Sequence, residues 1–359
     1  MTKRALLSVS APAHNAQSAL SSVIFSRRSL GLFCAAALMS GLLTGCGEKN
    51  GHDTTVAAGT QTPATTIGIC ELVEHEALDR SVQGFVEALA ERGFVDGQNL
   101  RIDRQNAQGD QATLQNIGSR FLSEKANLIF AVSTPATQAM ARTTRDIPIV
   151  ATAVTSFEAA KVVKSDEKPG TNVTGVSNIG PIAKQLELLL ALTGGKKTVG
   201  VIFNAGEVNS AFQVEIFKKA AAEHDVKVLE ATVSSVNDIQ QAVASLSGKV
   251  SGLWFPTDNI LASGTAILAK AALEAKLPTV PGDEALIRGG CLATIAVDYH
   301  ELGRMSGAMA ADILEGKAKP QDLAIQRQDA KKPLVNKKTA EALGLTLPES
   351  VLQYAVLIQ

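Results

Sequence analysis

Aromatic side chains make up only 4% of this 359-residue chain, with one Trp and two Tyr. A surface that stacks unpaired bases is therefore unsupported. The formal charge is −1 and no Lys/Arg-rich block with interleaved aromatics occurs, so no basic field for nucleic acid exists either. The five His, at positions 14, 52, 75, 224 and 300, lack metal-ligand spacing. Gly194-Gly195-Lys196-Lys197-Thr198 carries Leu190 where a phosphate-binding loop begins with Gly, and the first strand is not followed by G-x-G-x-x-G. No G-x-S-x-G elbow marks a nucleophilic serine. No metal, nucleotide or other cofactor is expected, and the chain shows no catalytic constellation.

What is present is a 45% hydrophobic composition drawn mostly from Ala, Val, Leu and Ile, which suits close-packed parallel α/β layers. The length suffices for two domains. Lys3, Arg4, Arg27 and Arg28 precede a mostly apolar run from Ser29 to Leu43 that is shorter than the roughly 20 residues a membrane span needs. Residues 1–45 thus read as a signal peptide, and Leu43-Thr44-Gly45-Cys46 looks like a bacterial lipobox in which Cys46 is acylated. Residues 46–65 read as a flexible tether rich in Gly, Thr, Ala and Gln. Cys70 and Cys291 are then either buried thiols or one disulfide; their place in strands favours thiols.

The stretch Leu128-Ile129-Phe130-Ala131-Val132 is an unbroken apolar run of strand length, and Ser133-Thr134-Pro135 after it suits the start of a helix. Such a junction gathers unpaired N–H groups, the positive end of a helix dipole and two hydroxyls. The chain around it alternates strand and helix: strands at 67–70, 100–102, 128–132 and 147–153, with helices across 82–89, 111–124 and 135–144. The alternation restarts with strands at 198–203, 226–232, 252–255 and 291–296 and helices at 209–223, 236–246 and 260–275. The expected fold is α/β, two doubly wound parallel-sheet lobes joined by a hinge. The first lobe takes 66–177 and the second 178–296. A helix at 299–314 leads a return of about 297–325 to the first lobe, and 326–359 belongs to the second.

Polar residues recur just past strand ends, where open α/β sheets bind ligands. They are Glu71 and His75, then Ser133, Thr134 and Thr137, then Thr155 and Ser156 in the first lobe. The second lobe offers Asn204, Glu207, Asn209 and Ser210, then Asp258 and Asn259. Asn209, Ser210 and Asp258 also suit plain helix capping. Trp254 reads as a core or cleft-wall aromatic.

At these loops the chain resembles the ABC-transporter substrate-binding lipoproteins whose members include binders of tryptophan and other aromatic amino acids. The resemblance is carried by Glu74-His75-Glu76-Ala77-Leu78-Asp79, Asn106-Ala107-Gln108-Gly109-Asp110, Ser133 to Gln138, Ala153-Val154-Thr155, Asn172 to Val176, Glu207 to Ser210 and Pro256-Thr257-Asp258-Asn259. It implies a type I periplasmic-binding fold, two Rossmann-like lobes closing on a ligand. It further implies that the loop at 133–137 holds a carboxylate while an acid on the facing lobe, with Asp258 the candidate, takes an ammonium; Glu71 offers a second acceptor suited to a cation. Glu71, Glu76 and Ser156-Phe157 depart from the family pattern and redistribute the pocket's charge. The function implied is an extracytoplasmic, membrane-anchored binding lipoprotein. It would deliver an amino acid-like ligand to the permease and ATPase subunits of an importer. A sensor presenting its closed form to a signalling receptor is the alternative.

Overall fold

The computed structural model describes residues 65–329 and 332–358. The expected signal peptide, Cys46 and nearly all of the tether lie outside the described residues. In chain order the first lobe contains β1 (Thr65–Glu71), α1 (Glu76–Glu91), β2 (Leu100–Asn106), α2 (Gln111–Ser123), β3 (Leu128–Val132), α3 (Thr134–Thr143), β4 (Ile149–Val154) and β5 (Val173–Ser177). The second continues with α4 (Ile182–Leu192), β6 (Thr198–Phe203), α5 (Val208–Glu223), β7 (Lys227–Thr232), α6 (Ile239–Leu246), β8 (Leu253–Phe255), α7 (Asn259–Ser263), α8 (Thr265–Glu274), β9 (Thr279–Pro281), α9 (Ala285–Arg288) and β10 (Ala293–Thr294). Then come α10 (Tyr299–Leu314), β11 (Gln326–Arg327), β12 (Leu334–Asn336), α11 (Lys337–Ala342), α12 (Glu349–Leu352) and β13 (Val356–Ile358).

The first sheet has the order β11-β5-β4-β3-β1-β2 and the second β7-β6-β8-β9. All pairings in both are parallel. In each sheet the chain leaves its first strand to one side and returns on the other, so the order reverses between β1 and β3 and between β6 and β8. The loops after those four strands flank the crevices where doubly wound sheets bind ligands.

The apolar run of β3 is buried on both faces. Ile129 and Ala131 join Phe121 and Met140 in one cluster. Leu128, Phe130 and Val132 join Phe85, Leu89 and Leu302 in the other. Phe130 stacks on Phe85 with ring centroids 3.7 Å apart. Helix α10 packs on α1 through small residues. A Cβ at Gly84 would stand 2.0 Å from the His300 carbonyl oxygen, and one at Gly303 2.0 Å from that of Ser81. The chain thus crosses between lobes near 178–181, again near 295–298, and a third time between Arg327 and Leu334. Strand β11 pairs with Val176 and Ser177, so the return to the first sheet runs two residues past the expected 325.

Three sequence expectations need correction in the second lobe. The expected helix over 260–275 is split at Gly264, where a Cβ would meet Ile239 Cδ1 at 2.3 Å. The segment at 291–296 supplies only β10, which pairs antiparallel with β12 in a separate three-stranded sheet. The outer place in the second sheet belongs to β9, a three-residue strand ending in Pro281. A Pro within a strand cannot donate to the ladder and is at home on an edge, which is where β9 lies. Helix α4 is also present where the strand-and-helix alternation suggested none. Trp254 is core: fully buried, stacked on Phe217 at 4.3 Å and donating Nε1–H to Gln185 at 2.9 Å.

Candidate functional site

The lobes touch directly through the loops past their strand ends. Gln213 Nε2 donates to Thr155 Oγ1 across the cleft at 3.2 Å and to Thr257 Oγ1 at 2.7 Å, while the two threonine hydroxyls stand 3.5 Å apart. His75 of the first lobe meets Asn259 Oδ1 at 3.5 Å. At the rim, Arg80 pairs with Glu284 at 3.2 Å and Arg288 with Glu76. Partly exposed ion pairs of this kind contribute at most about 1 kcal/mol each, so closure rests on the buried contacts.

On the first wall, Ser133 caps α3 by accepting from Ala136 N at 3.4 Å, with φ at +100°, a strained value for a non-glycine residue. Ala153, at φ +56° beside a register shift in β4, shows the same strain. Thr134 Oγ1 is buried without a hydrogen-bond partner. Thr137 turns its hydroxyl back to the Ser133 carbonyl oxygen at 2.7 Å, and Ser156 Oγ accepts from Ala159 N at 3.2 Å. Those two candidates therefore serve the local backbone. Thr155 does reach the cleft. Glu71 does not offer a free acceptor: Arg104 Nε and an Nη donate to its two oxygens at 3.0 and 3.1 Å. Burial raises the Glu71 carboxyl while Arg104, which supplies the cation it was expected to seek in a ligand, opposes the rise from within the protein.

The second wall is a web of amides and carboxyls. Asp258 accepts from Asn204 N and Ser210 Oγ, each at 2.7 Å, and from Ile260 N and Leu261 N at 3.0 and 3.1 Å. Both oxygens are committed, so Asp258 ties the β6–α5 segment to its own loop and caps α7, and its expected role as the ammonium acceptor is not favoured. Glu207 accepts from Asn209 Nδ2 at 2.9 Å and Asn259 Nδ2 at 2.6 Å. Because the Asn259 amide donates to Glu207, its oxygen faces His75, whose Nε2 must then carry the proton. Burial pushes His75 down to about 4, so the ring is neutral near pH 7, and its Nδ1 is a buried acceptor without a partner. Asn209 Oδ1 is likewise unpartnered. Burial, helped by the nearby Asp258 charge, pushes Glu207 up to about 7.

The structure adds residues that were not singled out from sequence. Asp283 follows β9, is 3% exposed and accepts from Ala285 N at 2.7 Å. Among the described residues it has no ion-pair partner, and burial pushes it up to about 7. It lines a small polar void of about 10 Å³ with His75, Asn178, Asn209, Asp258 and Tyr299. Asn178 donates to Tyr299 Oη at 2.8 Å and accepts from Thr155 at 3.3 Å, tying hinge to cleft. Gln213 lies one turn beyond Asn209 on the buried face of α5, a polar stripe at helical spacing that sequence could have revealed. Outward from the void, a cavity of about 600 Å³ runs between the lobes, bounded by Pro135 and Gln138 of α3 on one side and Asn204, Glu207 and Asn259 on the other. A groove of about 690 Å³ also lies beside β7, but second-lobe residues alone line it, so it does not sense closure.

Two doubly wound lobes, hinged by several crossings and meeting through opposed polar loops, define a two-lobed solute-binding protein of the type I periplasmic fold. Residues 66–358 match the family described as ABC transporter substrate binding protein, and the chain belongs to it. This is a family of binding proteins, not enzymes, and membership implies a place outside the cytoplasm. The chain is 40% identical to a "Tyrosine-binding protein" of Clostridioides difficile (strain R20291) over 90% of its own length and 94% of that protein's. It is similar to the ABC domain from Streptococcus pneumoniae solved in complex with L-Trp. There the TM-score is 0.79 at 37% identity, covering 82% of this chain and 99% of that one. Against the ligand-free, open structure of a substrate binding protein with adhesive properties from Clostridium difficile the TM-score is 0.64. The identity in that case is higher, 42%, with 82% of this chain and 100% of that one covered. The poorer fit to the nearer sequence, with the direct hydrogen bonds across the cleft, identifies the present arrangement as the closed one.

Proposed function

We propose that the protein is the extracytoplasmic receptor of an ABC importer. It captures an L-amino acid with an aromatic side chain as a zwitterion between its lobes and delivers it to the permease. The observation that carries this reading is the opposite polarity of the walls. The first lobe presents the α3 N-terminus and the spare hydroxyl of Thr134, which suit a carboxylate. The second presents Asp283, a buried carboxyl with no ion-pair partner among the described residues, which suits an ammonium. Asp283 thereby takes the role that sequence assigned to Asp258. The relatives named for tyrosine and solved with L-Trp support the aromatic class.

Thermal melting against the twenty amino acids tests the reading. Aromatic amino acids should raise the midpoint, since ligand at a hundred times Kd adds about 2.7 kcal/mol to the folded state. X-ray scattering should show the ligand-free protein contracting on binding. A panel in which no amino acid shifts the midpoint would overturn it. Anchoring through Cys46 belongs to the same proposal, and Cys46→Ser should abolish partitioning into detergent; unchanged partitioning would remove the lipid from the account.

A further inference from the structure

The 600 Å³ cavity between the lobes is walled by apolar groups from both sides, Leu72, Val73 and Pro135 from the first lobe and Val208, Val236 and Ile260 from the second. Its charged lining residues are Glu207 and Arg142, and Arg142 is exposed on the first-lobe side. Glu207 is 7% exposed and has no ion-pair partner among the described residues. Its two oxygens are unequally used. Oε2 is held by the side-chain amides of Asn209 and Asn259 at 2.9 and 2.6 Å, whereas Oε1 accepts only a long bond from Asn204 Nδ2 at 3.4 Å. Asn259, whose amide donates to Glu207, lines both the polar void beside Asp283 and this cavity, so Glu207 stands beside the residue the two share.

We propose that Glu207 determines side-chain specificity, its Oε1 accepting a hydrogen bond from an N–H or O–H on the ligand's side chain. The inference rests on the amino-acid reading above. A carboxyl held in place by two amides at a cavity of mixed apolar and polar lining loses solvent when a ligand fills that cavity, which is costly without a donor, so a hydrocarbon side chain is disfavoured. The cavity therefore favours tyrosine or tryptophan over phenylalanine, although phenylalanine fits the apolar walls.

The test is calorimetry with L-tyrosine, L-tryptophan and L-phenylalanine on the wild-type protein and on Glu207→Gln. The wild type should bind tyrosine or tryptophan at least about tenfold more tightly than phenylalanine. In the variant, Asn209 and Asn259 still donate to one position, so they hold the new amide oxygen there and aim its NH₂ at the ligand. Against an indole N–H, which only donates, that places a donor against a donor; a phenol oxygen can accept from it, but through a neutral bond in place of a charge-assisted one. The preference should shrink to about threefold or less, chiefly through weaker binding of tyrosine and tryptophan. Equal wild-type affinities, or an unchanged ratio in Glu207→Gln, would overturn the inference while leaving the amino-acid reading intact. An equal loss for all three ligands would also overturn it, because Glu207 would then hold a group common to them. If none of the three binds the wild type, the amino-acid reading fails and this inference falls with it.

Discussion

The two cleft walls carry buried acids of opposite status. In the first lobe Glu71 is 2% exposed, yet Arg104 from the neighbouring strand binds it and also reaches Asp79 at 2.6 Å. In the second lobe Glu207, Asp258 and Asp283 are all buried and are met by amides, a hydroxyl and backbone N–H groups, with no ion pair among the described residues. The comparison teaches that wall polarity is set by whether a cation of the protein already neutralises each acid, not by how many acids a wall holds. Where Arg104 is present, the acid is structural. Burial raises the acids of both walls, but Glu71 has Arg104 to oppose the rise, whereas Glu207 and Asp283 have no ion-pair partner among the described residues, and an arriving ammonium relieves that cost.

The largest expected effect falls on the least committed acid of the second wall. Asp283→Ala should weaken amino-acid binding by about 2–5 kcal/mol, roughly 30-fold or more, because it leaves a desolvated ammonium unpaired. At pH 8 the ligand-free variant should melt no lower than the wild type, since a buried charge has been removed. Asp258→Ala should do the reverse. Its four donors lose their acceptor, so ligand-free stability should fall by about 2–4 kcal/mol in denaturant titration. An Asp258→Ala protein of normal stability that fails to bind would break the assignment of the two acids.

Acid should push ligand-free stability and affinity in opposite directions. Glu207 and Asp283, raised to about 7, contribute stability that is complete below the ordinary carboxyl range and lost as pH rises through about 7. His75, lowered to about 4, contributes stability that is complete above its ordinary 6.5 and lost as pH falls through about 4. From pH 8 to 6.5 only the carboxyls act, so the ligand-free melting temperature should rise; below 6.5 His75 opposes them and the slope should flatten. Affinity should instead fall below pH 7, by up to about tenfold per unit, as Asp283 takes up a proton. Melting and calorimetry from pH 5 to 8 would show whether the two curves diverge.

Smaller effects sharpen the first wall. Thr134→Val removes a hydroxyl that has no partner in the closed form, so stability should hardly change while affinity drops by about 1 kcal/mol, roughly fivefold. The N–H groups of α3 remain. Glu71→Gln should leave affinity within about threefold in the same calorimetric titration, because the pairing with Arg104 already withdraws that acid from the ligand.

The β3–α3 junction was legible because a run buried on both faces ends in Ser133-Thr134-Pro135, a purely local signal. So was the doubling of the α/β pattern. The roles of the acids were not local. Asp258 follows β8 as expected, but Asn204 and Ser210, which occupy one of its oxygens, lie on the loop and helix after β6. The partner of Glu71 sits on β2, in a pairing that only the sheet creates. Asp283 escaped notice because β9 is a three-residue edge strand ending in Pro281, too short and too irregular to show an apolar period. Thr137 and Ser156 carried the right hydroxyls in the right loops, but one turn of backbone geometry aims each at its own chain.

The claim that the walls divide a zwitterion between them is tested most directly by a cycle in calorimetry. L-tyrosine and its deaminated analogue are each titrated into the wild type and into Asp283→Asn at pH 8, where the carboxyl is ionised. The wild type should prefer the amino acid by about 30-fold or more, and the variant should lose most of that preference while binding the deaminated acid about as well as the wild type does. An undiminished preference in Asp283→Asn would contradict the account, as would a wild type that binds the deaminated acid as tightly as tyrosine itself.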